Sequence, residues 1–118
     1  MADIRRAGAD DVPLLLPLVA AYWRFERLEG FEPGGVGAQL ARLLSSDHLG
    51  AGWLAQSDGR AVGYLLAVYV FSLEHGGLTA EIDEFYVAPE GRGGGTGGRL
   101  LAAAESEFIR AGCRNSSL

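Results

Sequence analysis

Lysine is absent: all ten basic residues of the 118-residue chain are arginine. A GxxxxGK[ST] phosphate loop is thereby excluded, since it needs a lysine to reach the phosphates. Cysteine is almost absent. The single Cys113 cannot close an internal disulfide, so a reducing, cytoplasmic setting is expected. One cysteine with His48 and His75 excludes a zinc framework, and no metal is expected. No apolar run approaches a membrane span and no secretory core follows Met1, so no membrane partner is expected. There is no basic stripe, which argues against nucleic acid.

Two features are in excess. The chain has 18 glycines, about twice the usual share. Its net charge is −5, and the acid is unevenly placed. Between Arg60 and Arg92 no basic residue occurs, while Glu74, Glu81, Asp83, Glu84 and Glu90 do. Those five carboxylates equal the whole net charge, and a local acidic field attracts a cation. With 48% hydrophobic residues the chain is expected to fold, as one domain over residues 1–118.

Apolar spacing orders the elements. Residues 4–7 read as a short strand. Asp10 offers an N-cap to a helix over about residues 10–26, with Pro13 in its first turn and Leu15, Val19, Tyr22 and Trp23 at helical spacing. Pro33-Gly34-Gly35 reads as a breaker cluster before a shorter helix carrying Leu40, Leu43 and Leu44. Residues 52–56 form a strand and Ser57-Asp58-Gly59-Arg60 a hairpin turn. Residues 61–71 read as a central strand, and residues 79–87 as the next one. A third helix carries Leu100, Leu101, Ala104 and Phe108 and stops at Gly112, and residues 113–118 begin another strand. The order β-α-α-β-β-β-α-β predicts an α/β (α+β) fold: a mixed, mostly antiparallel central sheet with flanking helices.

Residues 93–98 join an expected strand to an expected helix start. Such a junction presents free N–H groups and the positive end of the helix dipole. Glycine lets a phosphate approach the backbone, and Arg92 adds a charge-assisted contact. The competing reading is a flexible turn in a glycine-rich chain. Gly93-x-Gly95-x-x-Gly98 also spells GxGxxG, but a dinucleotide fold sets that motif after its first strand, with an acid about 20 residues on. Here it follows an antiparallel meander, and no acid comes after Glu107.

Arg92-x-x-Gly95-x-Gly97 fits the R/Q-x-x-G-x-G/A signature and resembles the GNAT acetyltransferases. Ile82-Asp83-Glu84-Phe85-Tyr86-Val87-Ala88-Pro89-Glu90 resembles that family's D-x-Y-V-x-P-E strand, and Ile4-Arg5-Arg6-Ala7 with Asp10-Asp11 resembles its opening strand and helix. The acidic-acidic-aromatic-Tyr-Val order, with Phe25-Glu26 late in the first helix, is similar to the diamine (spermidine/spermine, thialysine) acetyltransferases. The resemblance implies acetyl-CoA as cosubstrate and direct attack on its thioester by a primary amine of a small cation, a diamine, polyamine or amino-acid-like amine. It implies that Arg92, Gly93, Gly94, Gly95, Thr96, Gly97 and Gly98 hold the pyrophosphate. The pantetheine arm would pair like a strand with Phe85, Tyr86 and Val87, where that strand splays from the next. A backbone N–H near Val87 would polarise the thioester carbonyl, and Phe25 and Glu26 would border the acceptor groove.

N-acetylation needs a neutral amine, so a proton must leave an ammonium, and a carboxylate can accept it. Asp83 and Glu84 sit on opposite faces of one strand, because side chains alternate, so only one can face the acetyl group. The resemblance puts Asp83 at the amine; Glu84 is the alternative, and Glu81 shares the Asp83 face. Solvated strand charges are the competing reading. Tyr22 and Trp23 read as core or groove wall, Tyr69 as packing and Cys113 as an inert buried thiol; Arg99 could reach a phosphate from the helix's first turn.

GNAT domains continue past the fifth strand with a helix, which usually supplies a tyrosine acid for the leaving thiolate, and a closing strand pair. The resemblance therefore names no general acid here and implies a C-terminally incomplete domain. Three readings stay open: a fragment, a homodimer in which a second copy completes the sheet, and a degenerate CoA-binding module without turnover.

Overall fold

The structure, a computed structural model, describes residues 1–117. Strands β1 (Asp3–Arg6), β2 (Gly50–Ser57), β3 (Arg60–Ser72), β4 (Gly77–Val87) and β5 (Ser116–Ser117) form one sheet in chain order. Pairing is antiparallel from β1 through β4, and β5 runs parallel to β4. Helices α1 (Val12–Phe25) and α2 (Pro33–Leu44) lie between β1 and β2, and α3 (Thr96–Arg110) links β4 to β5. The expected element order and fold class are therefore present.

Side-chain alternation along the middle strands builds a core on each face of the sheet. Trp53, Leu65 and Ala67 meet Leu100, Ala104 and Phe108 of α3. On the other face, Leu54, Tyr64 and Leu66 meet Leu15 and Val19 of α1 and Leu40 of α2. A Cβ on Gly52 would stand 2.6 Å from Leu44 and 3.0 Å from Leu66, so its absence lets α2 settle on the sheet. The β2–β3 turn has both central residues at positive φ, Asp58 at 51° and Gly59 at 75°. That is the tight hairpin turn whose twist matches the strands it joins.

Three local expectations change. Pro33-Gly34-Gly35 does not break the chain but opens α2: proline is tolerated at a helix start, and the Glu32 carboxylate accepts the free amides of Gly34 at 2.8 Å and Gly35 at 2.6 Å. Asp11, not Asp10, is the N-cap of α1. Its carboxylate turns back to accept the Gly8 amide at 2.8 Å and the Arg5 guanidinium at 2.7 and 3.0 Å. Finally, β5 is only two residues long, with Leu118 outside the described residues. After Gly112, at φ 83°, the chain turns so that the amides of Cys113 and Arg114 donate to Phe108 and Leu78. Cys113 therefore sits in this turn, half-buried, and not in a strand.

The Arg5 guanidinium and the Gly8 amide hold the buried Asp11 carboxyl below its ordinary range, against the cost of burial. A depressed folded value stabilises the fold above the unfolded pKa and is lost as pH falls through the folded one. Asp11→Asn is expected to cost about 1–2 kcal/mol at pH 7. The gap from the parent chain should close below about pH 4, as urea denaturation at pH 7 and pH 3 will show.

Candidate functional site

Regular alternation fails at one point of β4. Leu66 of β3 pairs with Glu84, but the next residue, Ala67, pairs with Ile82, so Asp83 is an extra residue in β4. Such a bulge shifts every side chain beyond it by one place. Phe85 and Ile82 consequently both pack on the α3 side, although three residues apart. Asp83 and Glu84 lie between them, and both line one cavity on the α1–α2 side. The expectation that only one of the two carboxylates can face a reacting group is thereby overturned.

The cavity holds about 460 Å³, within the range of small-molecule sites. Val19, Trp23, Val36, Leu40, Leu43 and Leu66 supply apolar walls, and Asp83, Glu84, Glu32 and Gln39 supply polar atoms. Asp83 is exposed and Glu84 half-buried. Glu84 is held from two sides: Oε1 accepts the Tyr64 hydroxyl at 2.7 Å and Oε2 accepts the Trp23 indole N–H at 2.9 Å. Burial pushes its carboxyl above the ordinary value; the two donors pull the other way, and the neighbouring Asp83 charge adds to the rise. A carboxylate that holds a proton more readily than usual is suited to take one from an ammonium.

The other acidic and aromatic residues disperse. Glu90 pairs with Arg60 at 3.8 Å, and Glu81 borders a separate hollow with Val70, Ser72 and Thr79. The acidic run thus does not converge on one point. Phe25 is 67% exposed and leans on Tyr86, 6.2 Å between ring centres, outside the cavity wall. Glu26 is exposed, but its charge, with those of Glu84 and Asp83, adds to the effect of burial in raising the Tyr22 phenol. Tyr69 packs edge-on against Phe108, as expected of a core residue. Burial pushes the Cys113 thiol up, which disfavours the reactive thiolate.

On the opposite side of β4 stands the glycine loop. Gly93, Gly94 and Gly95 have φ of 86°, 70° and 75°, three successive left-handed residues leading into α3. A Cβ at any of them would meet open space, so conformation and not crowding calls for glycine. No side chain caps α3, so its first amides are available to an acceptor. Gly91, Arg92, Gly93, Gly94 and Thr96 line a hollow of about 310 Å³ there. Thr96 itself is buried. A Cβ on Gly97 would lie 3.7 Å from Phe85 and 3.9 Å from Val87, which places the α3 N-terminus against the edge of β4; Gly98 follows in the same turn with open space around it. Arg92 fastens the loop by donating Nε–H to the Val87 carbonyl at 2.9 Å. Arg99 points elsewhere, donating to the Ala2 carbonyl. Among the described residues β5 pairs only with Ala80 and Glu81, so the edge from Phe85 to Val87 has no strand beside it. Because the Val87 carbonyl faces that edge, so does its amide.

The sequence profile of the acetyltransferase (GNAT) family matches residues 16–118. The chain belongs to this family. It is 29% identical over 103 residues to YhfO, an uncharacterized N-acetyltransferase of Bacillus subtilis (strain 168), covering 87% of this chain and 68% of that one. An integron cassette protein from the mobile metagenome of Cole Harbour Salt Marsh superposes with a TM-score of 0.88 at 30% identity, over 97% of this chain and 74% of that one. The aminoglycoside N-acetyltransferase AAC(6')-Iy, solved with CoA, superposes with a TM-score of 0.84 at 23% identity, over 99% and 75% respectively. As a GNAT domain the chain carries the family's strand, glycine loop and helix in the order its sequence implied.

Reading the sequence missed Tyr64 and the role of Trp23 as donors to Glu84, and missed Glu32 and Gln39 as cavity residues. Only a tyrosine inside an otherwise apolar central strand hinted that a polar partner would be needed. Both donors favour the charged form of Glu84, so removing either should raise its pKa further. Trp23→Phe and Tyr64→Phe are each expected to do so in a carboxyl-carbon NMR titration of Glu84; an unmoved titration would show that the donors do not tune it.

Proposed function

We propose that this GNAT domain transfers an acetyl group from acetyl-CoA to a primary amine of a small cationic acceptor. The observation that carries the reading is the bulge that brings Asp83 and Glu84 to one cavity beside the unpaired edge of β4. The loop fits a pyrophosphate: a left-handed glycine run, an uncapped 15-residue helix and Arg92 lie together. Gly93–Gly98 and Arg92 would hold it, and the edge amides of Phe85 and Val87 would pair with the pantetheine arm. Acetyl-CoA supplies the reactive thioester.

In this reading Asp83 holds the ammonium and Glu84, its value raised by burial, takes the proton, directly or through a water. The freed amine would attack the thioester carbon: the C–N bond forms, the C–S bond breaks, and the second proton, shed by the acylated nitrogen, passes to the departing sulfur directly or through water, so that CoA leaves as the thiol. The Val87 amide faces the edge where the thioester oxygen would lie. Phe25 and Glu26, at the end of α1 where Phe25 leans on Tyr86, would border the acceptor groove. Diamines, polyamines and amino-acid-like amines are the acceptors that the family resemblance implies, and the carboxylates of the cavity support a cation. A module that binds CoA without turnover, paired with a second copy of the chain, is the competing reading.

The test is thiol release from acetyl-CoA with an amine panel, beside a thermal shift with acetyl-CoA alone. Glu84→Gln is expected to lower kcat about 100-fold or more, the usual size of a lost general base. Asp83→Asn is expected to raise KM about tenfold, one salt-bridged hydrogen bond to a charged group. In the parent, kcat should fall as acid protonates Glu84, at a pH above the ordinary glutamate range. A thermal shift without thiol release from any amine would instead favour the binding module.

A further inference from the structure

The composition of the cavity wall carries a narrower statement than "small cation". Among the described residues, no arginine lines it. An acceptor with a carboxylate would therefore bring a third anion beside Asp83 and Glu84 with no cationic side chain to balance it, a costly arrangement. The wall from Val19 and Trp23 across Leu66 to Leu40 and Leu43 is apolar, and Leu40, Leu66 and Val19 belong to the core beneath it. Of the three lining carboxylates, Asp83 and Glu84 stand together at the bulge. The third, Glu32, is committed elsewhere: its oxygens cap α2 through Gly34 and Gly35, and it is exposed at the mouth. The Gly34 and Gly35 amides hold the Glu32 carboxyl below its ordinary value. The cavity thus joins an acidic pair at the bulge to a largely apolar wall, with Glu32 and Gln39 as the other polar side chains.

We propose that the acceptor is an amphipathic monoamine, one ammonium on an alkyl or arylalkyl body without a carboxylate, in preference to a diamine or an amino acid. This rests on the acetyl-transfer reading above. The ammonium meets Asp83 and Glu84, and the apolar body lies along Trp23, Val36, Leu40 and Leu66. A diamine of equal length must leave its second ammonium against that wall, where the one further carboxylate, Glu32, already accepts the Gly34 and Gly35 amides.

The experiment compares n-propyl-, n-butyl-, n-pentyl- and n-hexylamine, phenethylamine, 1,4-diaminobutane and glycine, with acetyl-CoA and the full chain. Each added methylene is expected to raise kcat/KM about threefold to fourfold, the worth of one buried CH₂. Pentylamine should exceed 1,4-diaminobutane and glycine by at least tenfold. A flat series, or a diamine above the monoamine, overturns the proposal while leaving acetyl transfer intact. If no amine releases thiol, the acetyl-transfer reading fails, and binding still decides this one: the Trp23 indole N–H resonance should shift at lower hexylamine than diaminobutane, and the reverse order overturns it. Val36→Glu adds a carboxylate within the first turns of α2, a helix position that accepts one. It should move the preference toward the diamine by about tenfold or more; an unmoved ratio would show that this cavity does not hold the acceptor.

Discussion

Between Leu66 and Ala67 the pairing of β3 with β4 slips by one residue, and Asp83 is the residue left over. Without it, strand alternation would send Asp83 to the α3 side and Ile82 to the α1–α2 side. With it, Ile82 stays in the α3 core and two adjacent carboxylates face one cavity. The hydrophobic requirement of Ile82 and the polar requirement of Asp83 are met by the same displacement. A bulge also bends and twists the strand that carries it. Here it lies at the point where pairing with β5 has ended, so the two sides of β4 become available together.

Glu84 ties this site to the core. Tyr64 is fully buried in the central strand among Leu54, Leu66 and Leu15, yet its hydroxyl reaches Glu84. Trp23 brings an indole N–H from α1 to the other oxygen. A half-buried carboxylate without donors would be costly, and the buried Tyr64 hydroxyl and half-buried Trp23 indole N–H without an acceptor would be as well. Each group is therefore the reason the others are tolerated. The site's electrostatics follow: burial raises the carboxyl, the donors restrain the rise, and the exposed Asp83 adds its charge.

The two hollows beside β4 differ in chemistry because different backbone forms build them. Three left-handed glycines and an uncapped helix end present N–H groups, which suit an anion. The α1–α2 cavity presents carboxylates and apolar side chains, which suit an organic cation. β4 is the wall between them, and Arg92 fixes the loop to that wall through the Val87 carbonyl. The proposed reaction would keep an anionic carrier and a cationic acceptor on different sides of that strand.

The element order, the hairpin at Asp58-Gly59 and the family motif around Arg92 were legible because each is local. Periodicity, turn chemistry and a strand–loop–helix motif are written in consecutive residues. Pro33-Gly34-Gly35 misled for the converse reason: proline and glycine signal a break only until Glu32 supplies the missing acceptor. The sequence by itself determined which residues could bear charge, make a left-handed turn or bury an apolar face. Tertiary structure alone decided that Asp83 and Glu84 share a side, that Tyr64 and Trp23 hold Glu84, and that Glu90 and Glu81 do not join them. Those outcomes depend on register and on contacts between residues 20 and 61 positions apart. No local propensity encodes them; the energy of packing two cores against one bulged strand does.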